Sequence, residues 1–244
     1  KKIIIKLISI TRRFFNKLIT VIGYYNTHHH QKKWTHTAIN CFNSGHEYSW
    51  GGPLEEKVLG DYIKIKNCFL LPHISNKSVL EIGCLDGKWS QYIVPIAQHT
   101  FLVDLSKEIL PALQNKLNNP ERYTFYETKG YELNGIEDAS IDYIFSMDTL
   151  VRVNKRFLNL YFKEFKRVIK KNGKILIHLP CITSEGSQQR GFVKLTSNDI
   201  TRMMTDNGLK EFTLDFNTIS HGVLLKYGFC ERQTSTQTKE QCEN

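Results

Sequence analysis

The stretch Val79-Leu80-Glu81-Ile82-Gly83-Cys84-Leu85-Asp86-Gly87-Lys88-Trp89-Ser90 decides how this chain is read. Ser78 to Ile82 is an apolar run of strand length with a carboxylate near its end. Gly83 and Gly87 then let the backbone turn tightly, so that a ligand can lie against the loop before a helix begins. A loop that receives a dinucleotide pyrophosphate has the pattern G-x-G-x-x-G. Here glycine stands only at the first and fifth positions, and Glu81 and Asp86 add negative charge. Such a loop repels a pyrophosphate and suits a ligand with an ammonium and a sulfonium. The next apolar run, Thr100 to Val103, is followed by Asp104, and a carboxylate at the end of a second strand can accept both hydroxyls of a ribose.

Outward from this loop the chain alternates. An amphipathic stretch from Leu54 to Leu71 precedes a turn at Pro72. A helix is predicted from Lys88 to Gln98, and another from Ser106, a capping residue with Glu108 in its first turn, to Leu117. Tyr123 to Tyr126 and Ile141 to Phe145 are strands. Phe157 to Lys171 is a helix with apolar residues at Leu158, Tyr161, Phe162, Phe165, Val168 and Ile169, stopped by Asn172-Gly173. Lys174 to Leu179 is a strand, Asp199 to Asp206 a helix stopped at Asn207-Gly208, and Glu211 to Phe216 with Gly222 to Tyr227 a closing pair of strands. Strands separated by helices imply an α/β, doubly wound, Rossmann-like sheet with helices on both faces. Such sheets bind ligands at the carboxyl ends of their strands.

At these residues the sequence resembles the class I S-adenosylmethionine-dependent methyltransferases, from about Gly45 to Tyr227. The resemblance is carried by VLEIGCLDGKWSQYI, LVDLS and the block FYETKGYELNGIEDASIDYIFSMDTLVRV with EFKRVIKKNGKILIHLP. That block and the approach segment GHEYSWGGP are similar to methyltransferases of bacterial surface-glycan and O-antigen biosynthesis. The resemblance implies a seven-stranded sheet with an antiparallel last strand and S-adenosyl-L-methionine as cofactor. It implies that Glu81, Gly83, Cys84, Leu85, Asp86 and Gly87 surround the methionine part, Asp104 holds the ribose, and Leu105 lies beside the adenine. Gly130 would lie under the adenine, and Ser146 and Met147 would line the methyl-donor end. The chain departs from the family at Leu85, where a middle glycine is usual, at Lys129, where an Asp often stands, and at Arg152, where relatives commonly have His.

Methyl transfer from a sulfonium is an in-line displacement, and a hydroxyl acceptor also needs a group to take its proton. Asp148, just past the fourth strand, is best placed, with His178 and His221 behind it. Asp148 could instead cap the following helix, and a lone strand histidine is ordinarily a core residue. Arg152 suits a phosphate or carboxylate on the acceptor, or a surface ion pair. Tyr48 and Trp50 could stack on a sugar or the cofactor, or plug the core. The acceptor, a small molecule or a glycan intermediate, would also meet Pro180 to Lys194, including Arg190.

The 33 Lys+Arg against 24 Asp+Glu give a net charge of +9. Residues 1–40 hold eight of the basic residues and no acidic one, so the remaining 204 carry 25 basic against 24 acidic and are nearly neutral. That distribution disfavours nucleic acid as a partner. Three parts follow: a basic amphipathic arm and linker over residues 1–40, a methyltransferase domain over 41–230 and a polar tail over 231–244. On a helical wheel Ile4, Leu7, Ile8, Phe14, Phe15, Leu18 and Ile22 share one side, opposite Lys2, Lys6, Arg13 and Lys17. Charges at Lys6, Arg12, Arg13 and Lys17 interrupt the ~20 apolar residues that a span needs. The arm suits the plane of an anionic membrane, at roughly 1 kcal/mol per basic residue, or packing on the body or a second subunit. The expected location is cytoplasmic, peripheral on the inner membrane face. The six cysteines form no C-x-x-C pair, and His28, His29 and His30 read as linker, so no metal site or disulfide framework is expected. A nicotinamide-dependent oxidoreductase and a non-catalytic membrane-docking module are the alternatives. The missing three-glycine fingerprint opposes the first, and the intact Glu81, Gly83, Gly87 and Asp104 oppose the second.

Overall fold

The structure is a computed structural model that describes residues 56–184, 187 and 192–229, with side chains from Gly60 onward. The basic arm, His28 to His30, Tyr48, Trp50, Arg190 and both domain boundaries lie outside the described residues.

Seven strands form one sheet: β1 Ser78–Ile82, β2 His99–Asp104, β3 Tyr123–Glu127, β4 Ile141–Ser146, β5 Ile169–Leu179, β6 Phe212–Asp215 and β7 Val223–Tyr227. Their order is β3-β2-β1-β4-β5-β7-β6. All pairs from β3 to β5 are parallel, and β7 runs antiparallel to both β5 and β6. The expected sheet is therefore present, with its antiparallel strand from the closing hairpin. The chain order reverses between β1 and β4, which opens a crevice above the carboxyl ends of those strands.

Alternation along the strands decides what meets what. Leu80, Ile82, Ile144, Ile175, Ile177 and Leu225 face one side and pack with Leu158, Phe162 and Phe165 of α5 (Lys155–Val168) and with Ile200 and Met204 of α6 (Ser197–Asp206). Val79, Tyr143, Phe145, Leu176 and Leu224 face the other side. There they meet Tyr62 of α1 (Glu56–Lys64), Ile65 and Leu70 of the π-helical turn that follows, Ile74 of α2 (Leu71–Ile74) and Ile93 of α3 (Ser90–Ile93). Glu81 and His178 stand at the same parity as this second set, so both lie on the α1 side.

Four elements differ from expectation. The helix predicted from Lys88 to Gln98 is only Ser90–Ile93, because Pro95 lacks the N–H a longer helix would need. α5 ends at Val168 instead of Lys171: Ile169 pairs with Ile141 in the sheet, then the register jumps so that Tyr143 pairs with Lys174. Asn172-Gly173 thus belongs to this irregularity and caps no helix. Pro72 is the second residue of α2, a first-turn position that tolerates it, and the helical path continues past the expected turn. Between β2 and α4 (Leu110–Lys116) Ser106 accepts the Glu108 N–H as expected, but the first turn is 3₁₀. Cys84 and Cys181 are free and buried, whereas Cys68 is disulfide-bonded, which the scatter of cysteines did not announce.

The β6–β7 turn is held by Asp215, which accepts the Asn217 and Thr218 N–H groups at 2.9 and 3.0 Å, the Thr218 hydroxyl at 2.6 Å and the Lys226 ammonium at 2.9 Å. Burial raises its pKa, but these donors outweigh it and bring the value from 3.8 to about 2. Stability from this carboxylate is present above pH 4 and lost as pH falls toward 2. Asp215→Asn is expected to lower the urea midpoint at pH 7, with the deficit shrinking between pH 4 and pH 2; a deficit independent of pH contradicts the assignment.

Candidate active site

The loop after β1 is shaped by backbone that glycine permits. Gly83 and Gly87 have φ of 78° and 83°, and the Cys84 carbonyl accepts the Gly87 N–H at 2.9 Å, closing the turn. A Cβ at Gly83 would stand 2.1 Å from Thr149 Oγ1, so only glycine lets the loop approach the segment after β4. Leu85 has φ 44°, a left-handed conformation that costs a non-glycine residue roughly 1–2 kcal/mol. Its side chain is buried and its N–H donates to Asp104 Oδ2 at 2.9 Å, which offset that cost. Asp104 Oδ1 accepts the Leu105 N–H at 2.7 Å. Burial raises the Asp104 pKa against the lowering effect of the Leu85, Leu105 and Ser106 amides.

Asp86 pairs with Lys116 of α4 at 3.0 Å, and its Oδ1 is buried with no hydrogen-bond partner among the described residues. Glu81 accepts the Ser90 hydroxyl at 2.6 Å. Beyond β3 the Gly130 carbonyl accepts the Tyr161 and Thr128 hydroxyls at 2.6 and 3.1 Å, while space is open where a Gly130 side chain would stand. The Ser146 hydroxyl donates to the Ile82 carbonyl at 3.0 Å, tying β4 to β1, and Met147 is packed in the α1-side core.

Beside this loop, one residue before Thr149, Asp148 holds φ 59° and gathers three donors. Tyr62 of α1 donates its hydroxyl to Oδ2. His178 Nδ1 on β5 lies 2.7 Å and His221 Nε2 in the β6–β7 turn 3.3 Å from Oδ1. Burial alone would raise the Asp148 pKa, but the two imidazoles outweigh it and hold the carboxyl well below its usual range. Burial lowers the His178 pKa despite Asp148, so its imidazole is neutral. The cluster is therefore an anion receiving N–H groups from two rings, and Asp148 is not a free base. Asp61, next to Tyr62, accepts the Ser220 N–H and hydroxyl at 2.8 and 2.7 Å, fastening the turn that carries His221 to α1.

Asp148, His178 and His221, three separate candidates in the sequence, meet in one cluster. The Arg152 guanidinium lies 5.3 Å over the Phe192 ring, which in turn stands 6.3 Å from His221. Tyr62 was missed, since a tyrosine on the apolar side of an amphipathic helix carries no signal but core packing. Asp148, His178 and His221 also form a group with ligand atoms within 4.8 Å of one another. A zinc-like ion needs each about 2.0–2.2 Å away, and the 2.7 Å Nδ1–Oδ1 approach is instead a hydrogen bond.

Residues 80–177 match the family described as "Methyltransferase domain". No curated protein sequence matches the chain. Among solved structures, the chain is similar to magnesium protoporphyrin IX methyltransferase from Synechocystis PCC 6803 with bound S-adenosylhomocysteine (TM-score 0.60, 13% identity, 80% of this chain and 96% of that one). It is also similar to an S-adenosylmethionine dependent methyltransferase from Mesorhizobium loti (0.51, 12%, 64% and 93%). A third is Haemonchus contortus phosphoethanolamine N-methyltransferase 1 (0.54, 15%, 72% of this chain and 35% of that one).

The loop fits S-adenosylmethionine, the cofactor that the sequence resemblance implies. The orphaned Asp86 Oδ1 offers an acceptor to an ammonium, the Gly83 and Gly87 turns admit close approach, and Asp104 stands at the end of β2 for the ribose. Asp104→Ala is expected to weaken S-adenosylhomocysteine binding by about one to two orders of magnitude in calorimetry, the worth of hydrogen bonds to a charged group; unchanged affinity contradicts the placement.

Proposed function

We propose that this S-adenosylmethionine-dependent methyltransferase O-methylates a sugar or glycan intermediate, and that the Asp148 cluster takes the acceptor's proton. The cofactor supplies an electrophilic methyl on a sulfonium, so holding the acceptor oxygen in line meets much of the barrier. The observation that carries the reading is the meeting of two imidazoles on one buried carboxylate, His178 Nδ1 at 2.7 Å and His221 Nε2 at 3.3 Å from Asp148 Oδ1. With Asp148 ionised, His178 donates through Nδ1 and His221 through Nε2, which leaves lone pairs on His178 Nε2 and His221 Nδ1. Both are buried without a hydrogen-bond partner among the described residues. His178 Nε2 is walled in, because a Cβ at Gly222 would stand 2.2 Å from it. His221 lies in a turn between the rings of Tyr62 and Phe192, and its Nδ1 is the acceptor's base. Asp148 and His178 are positioning residues: one fixes the tautomer of His221, the other shares the charge. Arg152, whose guanidinium lies over Phe192, is the candidate to bind an anionic group of the acceptor.

A second reading, an amine acceptor, is favoured by the ionised Asp148 beside the Tyr62 and Trp89 rings, whose centroids are 5.6 Å apart. Two observations oppose it. Both Asp148 oxygens already accept hydrogen bonds, and the Lys88 ammonium occupies the Tyr62 face at 4.5 Å.

The resemblance to surface-glycan enzymes and the basic arm support action at the cytoplasmic membrane face; no described helix is long and apolar enough to cross a membrane. With labelled methyl donor and cell extract, His221→Gln is expected to cut methyl-ether formation about 10²–10⁴-fold with S-adenosylhomocysteine affinity unchanged. Labelled N-methyl product, or full activity in the variant, contradicts the reading. Deleting residues 1–30 is expected to abolish sedimentation with anionic vesicles; retained sedimentation contradicts the membrane role.

A further inference from the structure

Three carboxyl groups close on the loop after β1, and they are unequally provided for. Asp104 has two backbone N–H donors and Asp86 has the Lys116 ammonium. Glu81 is 2% exposed and receives one neutral donor, the Ser90 hydroxyl. Its neighbours across the sheet are Leu102 and Phe145, so the strands supply no charge. The charged and titratable groups around it are Asp86 and Cys84 from its own loop, Asp104 from β2 and, through Asp86, Lys116 from α4. Lys88, one residue past the turn, directs its ammonium over Tyr62. Among the described residues no cation pairs with Glu81.

When three carboxyls crowd around one loop, the buried one with the fewest donors keeps its proton. Burial first, and then the charges of Asp104 and Asp86, push Glu81 up to about 8 against the Ser90 hydrogen bond. The loop of the free protein therefore has two deficits: a carboxyl held neutral, and Asp86 Oδ1 without a donor. An ammonium with its three N–H groups removes both.

We propose that Glu81 is protonated in the free enzyme and ionises when the ammonium end of the cofactor is seated, so that each cofactor bound releases one proton. Only the Glu81 O–H bond breaks, and the proton passes to the buffer. Cofactor affinity then depends on pH with a definite sign. Below pH 8 seating the ligand requires expelling the proton, so affinity falls as pH falls. The inference does not depend on which acceptor the enzyme methylates.

Calorimetry of the full chain with S-adenosylhomocysteine, which retains the ammonium, tests this at pH 7 in phosphate and in Tris, whose ionisation enthalpies differ. The wild type is expected to release close to one proton, and its affinity to weaken about tenfold from pH 7 to pH 6. Glu81→Gln, neutral at every pH, is expected to bind without releasing the proton and without that pH dependence. Binding by the wild type with no proton release overturns the proposal, as does release that persists in Glu81→Gln. If the variant does not fold, the wild-type pH series decides alone. Absence of any binding by the wild type overturns the cofactor site itself, and so differs from binding without release.

Discussion

The carboxylate of Asp148 is the point on which the site is assembled. It is buried past the end of β4 in a left-handed backbone conformation, and an ion there persists only if donors replace the water it has lost. Those donors come from three separate pieces of chain: Tyr62 from α1, His178 from β5 and His221 from the β6–β7 turn. One anion thereby joins α1, a central strand and the β6–β7 hairpin, and the Asp61–Ser220 pair adds a second fastening between the outer two. The parity of the strands makes the meeting possible, since His178 falls on the face that α1 covers.

Burial acts on Asp148 and Glu81 in the same direction, yet the outcomes are opposite. Asp148 has three side-chain donors, two of them imidazoles, and stays ionised. Glu81 has one hydroxyl and two anionic neighbours, and keeps its proton to about pH 8. The number and kind of donors thus decide between them. The crevice therefore holds two buried carboxyl groups of opposite state; under the proposed function the anion orients imidazoles toward the acceptor and the neutral acid meets the cofactor's ammonium. Gly83 and Thr149 form the contact where the two sides touch.

Much of this was legible in the sequence. The strands announced themselves as short apolar runs, and the loop from Gly83 to Gly87 and Asp104 landed at the carboxyl ends of β1 and β2 as read. What escaped was set by tertiary contact. Asn172-Gly173 has the composition of a helix stop, but Ile169 gains more by pairing with Ile141 than by extending the helix. Pro95 was visible, and its weight against the helix after Ser90 was undervalued. Tyr62 is indistinguishable from a core aromatic until Asp148 is placed beneath it. Asp148 itself looked like a free base, and only its three partners show it as an anion that already receives hydrogen bonds.

The most direct test of the account is a crystal structure of the full chain with S-adenosylhomocysteine. The account predicts the ribose on Asp104, the ammonium on Asp86 Oδ1 and Glu81, and the sulfur turned across Gly83 toward the Asp148, His178 and His221 cluster. A sulfur facing away from that cluster, or a ribose placed without Asp104, would contradict it.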